Sequence, residues 1–113
     1  MADHIRIENA NGTYVVRAGG AVLGETSEAL ELFEIDLEPV IYFPRSALAL
    51  AFLDSSETKT TCPHKGEASY FSIQTKSVLI KDCGWSYEGP KAGFEPIKGY
   101  LAFDTSKVAV EKL

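Results

Sequence analysis

Turn-forming residues punctuate this chain too often for a long helix to develop. Nine glycines and five prolines, joined by asparagine and aspartate, fall between short runs rich in β-branched and aromatic residues. That is the pattern of consecutive strands joined by tight turns. The longest uninterrupted apolar run, residues 47–53, has seven residues, well short of the ~18 that a membrane-spanning helix needs. The expectation is a mainly β chain with no membrane partner.

The strands can be placed in order. Ile5-Arg6-Ile7-Glu8 alternates apolar with polar, and Asn11-Gly12 is a strong short-range hairpin signal, which predicts a return strand over residues 13–17. Gly19-Gly20 predicts a second turn into Ala21-Val22-Leu23, completing a three-stranded meander. Residues 26–36 carry both a helical spacing (Ala29, Leu30, Leu32, Phe33) and a short strand pattern, Glu31-Leu32-Phe33-Glu34-Ile35; the strand is the preferred reading. Val40-Ile41-Tyr42-Phe43 is a strand closed by Pro44. Ser46 is placed to cap a short helix over 47–53, whose alanines and leucines favour helix. Residues 69–75 and 78–85 predict a hairpin over Lys76-Ser77, and residues 99–103 and 108–112 supply the last strands. The expected architecture is one antiparallel domain spanning residues 1–113, with about eight strands and one short helix.

Charge narrows the partners. The chain of 113 residues has a net charge of −5, which argues against nucleic acid, whose binders are basic. The acids are concentrated in residues 1–56, which hold 3 basic and 9 acidic side chains, whereas residues 57–100 hold 6 lysines against 5 acids. A small anion would therefore be met in the second half. The N-terminus lacks the apolar core of a secretory signal, so a cytoplasmic location is expected. The two cysteines, Cys62 and Cys83, are too few for a disulfide scaffold and are read as thiols.

Four motifs occur together: Tyr42-Phe43-Pro44-Arg45; Thr60-Thr61-Cys62-Pro63-His64-Lys65-Gly66-Glu67-Ala68-Ser69-Tyr70; Trp85-Ser86-Tyr87 followed by Pro90; and Gly99-Tyr100-Leu101-Ala102-Phe103. In this order and spacing they resemble the family known as domain of unknown function 427 (DUF427). The resemblance runs from Val16 to Val110 and rests chiefly on T-x-C-P-x-K-G-x-A-x-Y. It implies a bent, β-tent-like sheet, similar to a fold group whose members often hold zinc between paired-cysteine knuckles. This chain has no C-x-x-C, so that zinc is not expected, and neither is any other metal or cofactor. The family has no established activity, although a nucleotidyltransferase label is attached to it.

Each candidate residue has a functional and a structural reading. In Cys62-Pro63-His64-Lys65-Gly66, Gly66 can take a positive φ and the backbone can form an anion-binding nest. Lys65 beside it would supply a mobile charge; structurally, its stem would simply pack over an aromatic ring. Trp85 and Tyr87, two apart on a strand, share a face, preceded on that face by Leu79, Lys81 and Cys83. They form either core or one wall of a cleft. Tyr42 and Arg45 would line the same cleft, with Arg45 suited to a bidentate carboxylate or phosphate; alternatively it pairs with Glu34 or Asp54. Cys62 could act as a nucleophile only if His64 served as its base. A zinc set would draw on Cys62, His64 and Cys83 with Asp82 or His4, and a redox pair would join Cys62 to Cys83 without a C-x-x-C arrangement. The nucleotidyltransferase idea has a nominal match in Gly19-Gly20 followed by Glu34 and Asp36, without the helix that such glycines should open.

The resulting expectation is a module binding a small anionic or aromatic ligand in a cleft lined by Tyr42, Arg45, Cys62, Lys65, Trp85 and Tyr87. The alternatives are an enzyme using Cys62 or Lys65 in that cleft, or a homodimeric interaction module pairing through an exposed sheet edge.

Overall fold

Gly19 and Gly20 both adopt positive φ (54° and 83°), as a two-residue hairpin turn requires. They join β2 (Tyr14–Ala18) to β3 (Ala21–Thr26). The computed structural model, which describes residues 4–113, continues this hairpin in an unexpected direction. β1 (Ile5–Asn9) pairs antiparallel with β4 (Leu30–Glu34), not with β2. The ladder from Ile5↔Glu34 to Asn9↔Leu30 runs on, nearly in register, into Tyr14↔Thr26. Residues 5–34 are thus one long two-stranded ribbon, bent once across its width.

This corrects the expected meander. β2 has β3 along one edge and β10 (Ala109–Lys112) along the other, which leaves no edge for β1. Asn11-Gly12 is therefore a bend in one arm, with Gly12 at φ 97°. The corner is fixed by Ala10 N–H donating to the Ala29 carbonyl (2.9 Å) and by a hydroxyl contact between Thr13 and Ser27 (2.7 Å). Residues 30–34 are strand, as preferred.

β5 (Val40–Tyr42) completes the sheet β1-β4-β5. The short helix expected over 47–53 does not form. Two 3-10 turns, Arg45–Ala47 and Leu50–Phe52, replace it. Between them Leu48 is extended and bridges to Gly24, while Ala49 N–H donates to the Leu23 carbonyl (2.7 Å). Cross-chain pairing and burial of Leu48 outweigh the modest helix propensity of this stretch. Gly24 makes the approach feasible, since a Cβ there would collide with the Ala47 carbonyl oxygen.

The third sheet has the order β6 (Leu53–Cys62), β7 (Gly66–Gln74), β8 (Leu79–Ser86), β9 (Ala102–Phe103). β7 and β8 form the hairpin expected over Lys76-Ser77, closed by Thr75 N–H to the Val78 carbonyl (2.9 Å). β6 was not anticipated. It is polar and exposed along most of its length, so no hydrophobic alternation betrays it. The architecture is mainly β and antiparallel, as expected, with ten strands in three sheets among the described residues where about eight were predicted.

Side chains alternate across the third sheet into two cores. Leu101, Phe103, Ile73 and Phe43 join Val16 and Leu23 in the first. Ala102, Ala68, Tyr87 and Tyr42 join Ile5 and Leu32 in the second. The bent ribbon accordingly covers both faces, β2–β3 contributing to one core and β1–β4 to the other. Asp82 sits at φ 51°, and the β7–β8 register shifts between Phe71 and Ile73. The bulge rephases β8: Cys83 enters the first core, not the face it was expected to share with Trp85 and Tyr87, which serve the second.

Candidate functional site

The second core opens on one side into a cavity of about 250 Å³. Tyr42, at the end of β5, and Trp85, on β8, form part of its wall, with Tyr70 of β7 and Tyr87 just beyond β8. Tyr70, Trp85 and Tyr87 converge because strand alternation puts Tyr70 and its cross-strand partner Trp85 on one face. Tyr42 is 1% exposed, and its hydroxyl accepts a hydrogen bond from the Trp85 indole N–H (3.4 Å). Burial pushes the Tyr42 phenol up to about 12, the Trp85 hydrogen bond acting weakly the other way. Burial also raises Tyr87, reinforced by Tyr42. Both phenols stay neutral and can serve as walls or hydrogen-bond partners at ordinary pH.

Lys65 enters from the turn between β6 and β7. Cys62 pairs with Gly66 across that turn, Gly66 takes φ 113°, and the Lys65 N–H donates to Cys62 Sγ (3.4 Å). Cys62 thereby braces the loop, and the Lys65 amide is occupied internally. Lys91 holds the outer side, its N–H donating to the Lys65 carbonyl and its Nζ to the Pro63 carbonyl (both 2.9 Å). So held, Lys65 is only 9% exposed. Its Nζ lies 3.1 Å from Glu34 Oε1 and 5.9 Å from the centre of the Tyr87 ring. The acid-rich first half thus supplies the counter-ion for the lysine of the second half.

Four of the six expected site residues, Tyr42, Lys65, Trp85 and Tyr87, line this one cavity, and Cys62 sits behind it in the second core. Arg45 does not join them. Its guanidinium grips Glu88 with two contacts (2.5 and 3.3 Å) and lies 5.3 Å from the centre of the Phe71 ring. Phe71 and Glu88 each follow a cavity residue by one position, so Arg45 is on the opposite face. Its bidentate grip is satisfied within the protein, by neither Glu34 nor Asp54. Sequence reasoning missed Glu34 and Tyr70 as lining residues; Tyr70 was the last letter of the recognised motif.

Other expected constellations do not assemble. Cys62 and Cys83 belong to different cores, so they can neither pair nor share a metal with His64. Burial raises the Cys83 thiol further from reactivity. His64 meets His4 edge-on, ring centres 4.9 Å apart. Among the described residues no group of three or more His, Cys, Asp or Glu could hold a metal. Gly19-Gly20 turns one end of the ribbon, whereas Glu34 pairs with Ile5 at the other. The exposed edge β6 is bulged between Ser55 and Lys59, a device that blunts edge pairing. Among the described residues no helix is long and apolar enough to cross a membrane.

A second cavity of about 460 Å³ adjoins the first. Val40, Glu38 and Trp85 line both, and Ile41, Phe103, Asp104 and Val110 line the second alone.

A family model described as a domain of unknown function (DUF427) matches residues 6–112. A comparison with curated proteins gives no significant match.

Proposed function

The chain belongs to the DUF427 family, and from that premise we propose that it binds a small aromatic molecule in the cleft of Tyr42, Lys65, Trp85 and Tyr87. The convergence of four aromatic side chains and a sheltered ion pair on one cavity supports this reading above all. Ligand sites are characteristically apolar and aromatic, with a few placed polar groups. A volume of about 250 Å³ lies just under the usual 300–1,000 Å³ of such sites, which suits a ligand of one or two fused rings. Ring stacking against Trp85 or Tyr87 supplies binding energy, and the Lys65–Glu34 pair offers a donor and an acceptor for orientation.

Of the two ligand chemistries expected from the sequence, the aromatic one is favoured. Lys65 is already matched by Glu34, so an anion would have to displace that carboxylate or bind against it. Trp85 is the only tryptophan of the chain and lines both this cleft and the adjoining cavity, so its emission reports on a ligand in either. Tyr87, which lines the first alone, tells them apart. Titration with benzyl alcohol and with adenine is expected to change Trp85 emission saturably, and Tyr87→Ala to weaken the response at least about tenfold. If neither probe changes the emission, the reading fails.

A further inference from the structure

The charge around the cleft specifies the ligand further. Lys65 and Glu34 cancel, which leaves Glu38 on the rim. Among the described residues Glu38 has no ion-pair partner. Glu38 and Trp85, with Val40, line both cavities and so mark the junction between them. Asp104 lines the second cavity, its carboxylate held by the backbone N–H and hydroxyl of Ser106 (2.9 and 2.6 Å). Among the described residues Lys65 is the sole basic residue lining the first cavity, and none lines the second.

Resting on the aromatic-cleft reading, we infer that the natural ligand carries a positive charge, an alkylammonium group seated at this junction against Trp85 with Glu38 as counter-ion. Aromatic faces attract cations through their quadrupoles, tryptophan most strongly. A carboxylate on the other side adds attraction that a neutral or anionic group does not receive. The second cavity, lined by Val40, Ile41, Phe103 and Val110, receives the alkyl substituents.

The test is a set of probes matched in their ring: benzyltrimethylammonium, benzyl alcohol and benzoate, each titrated against Trp85 emission. Benzyltrimethylammonium is expected to bind about tenfold more tightly than benzyl alcohol, and benzoate most weakly. Glu38→Gln, a surface change that leaves the fold intact, should narrow the cation-to-alcohol ratio to about threefold. Equal binding of the three, tightest binding of benzoate, or a preference unmoved by Glu38→Gln overturns the cation assignment and leaves the aromatic cleft standing. Silence of Trp85 towards all three removes both.

Discussion

The two faces of the β6–β9 sheet are built from the same strands and put to different uses. On one, Phe43, Ile73, Leu101 and Cys83 are fully buried in an aliphatic and aromatic core. On the other, Tyr42, Tyr70, Trp85 and Tyr87 surround a cavity and shelter an ion pair. A cavity forfeits packing contacts, and a sheltered ion pair repays little of its desolvation. The second face therefore gives up stability that the first supplies, and a site is expected where a fold accepts such a cost.

The largest predicted difference lies in truncation. Phe43→Ala should destabilise by about 3–5 kcal/mol, the range for emptying a well-packed aromatic position. Trp85→Ala should cost only about half as much, because its ring already borders open space. Urea unfolding followed by circular dichroism compares them without needing the tryptophan. Equal losses would mean that both faces are packed for stability, and the contrast would collapse.

A middling effect is expected at the ion pair. The side chains of Lys65 and Glu34 are 11% and 19% exposed, so solvent screens them only in part. Glu34→Gln leaves the lysine without its counter-ion and should cost about 1–3 kcal/mol, below the cost for a fully buried pair. Replacing both partners together, Glu34→Leu with Lys65→Met, should restore stability to within about 1 kcal/mol of the starting protein. The same double variant should lose ligand-induced change in Trp85 emission. Stability regained while binding is lost would separate the two purposes; a silent Glu34→Gln would show the pair to be an ordinary surface contact.

How much of this was legible in the sequence follows from the range of each interaction. The Gly19-Gly20 and Lys76-Ser77 turns were readable because turn geometry is set by the residues within them. Asn11-Gly12 misled because its outcome depends on β10, whose pairing along β2 takes the edge that a hairpin would need. Residues 47–53 misled for a similar reason, since their partners Leu23 and Gly24 lie on a distant strand. β6 left no trace because neither of its faces is buried for long. At the site, the motif pointed to Tyr42, Lys65, Trp85 and Tyr87. Their ionic partners were hidden: Glu34 is 31 positions from Lys65, and Glu88 is 43 from Arg45. Which face each occupies depends on alternation interrupted by a bulge.

Arg45 offers the smallest effect and the cleanest check on the partition. It stands two residues beyond Phe43 and three beyond Tyr42, so by sequence it could serve either face. Its contacts with Glu88 and Phe71 assign it away from the cavity. The side chains of Arg45 and Glu88 are 36% and 47% exposed, and such pairs contribute about 0.2–1 kcal/mol. Arg45→Gln should therefore lower stability by no more than about 1 kcal/mol. It should leave the benzyl alcohol titration of Trp85 superimposable on that of the unmodified protein. Loss of the Trp85 response in Arg45→Gln would place the guanidinium in contact with ligand. Arg45 would then belong to the site, with the anionic chemistry first suggested by the lysine-bearing half of the sequence.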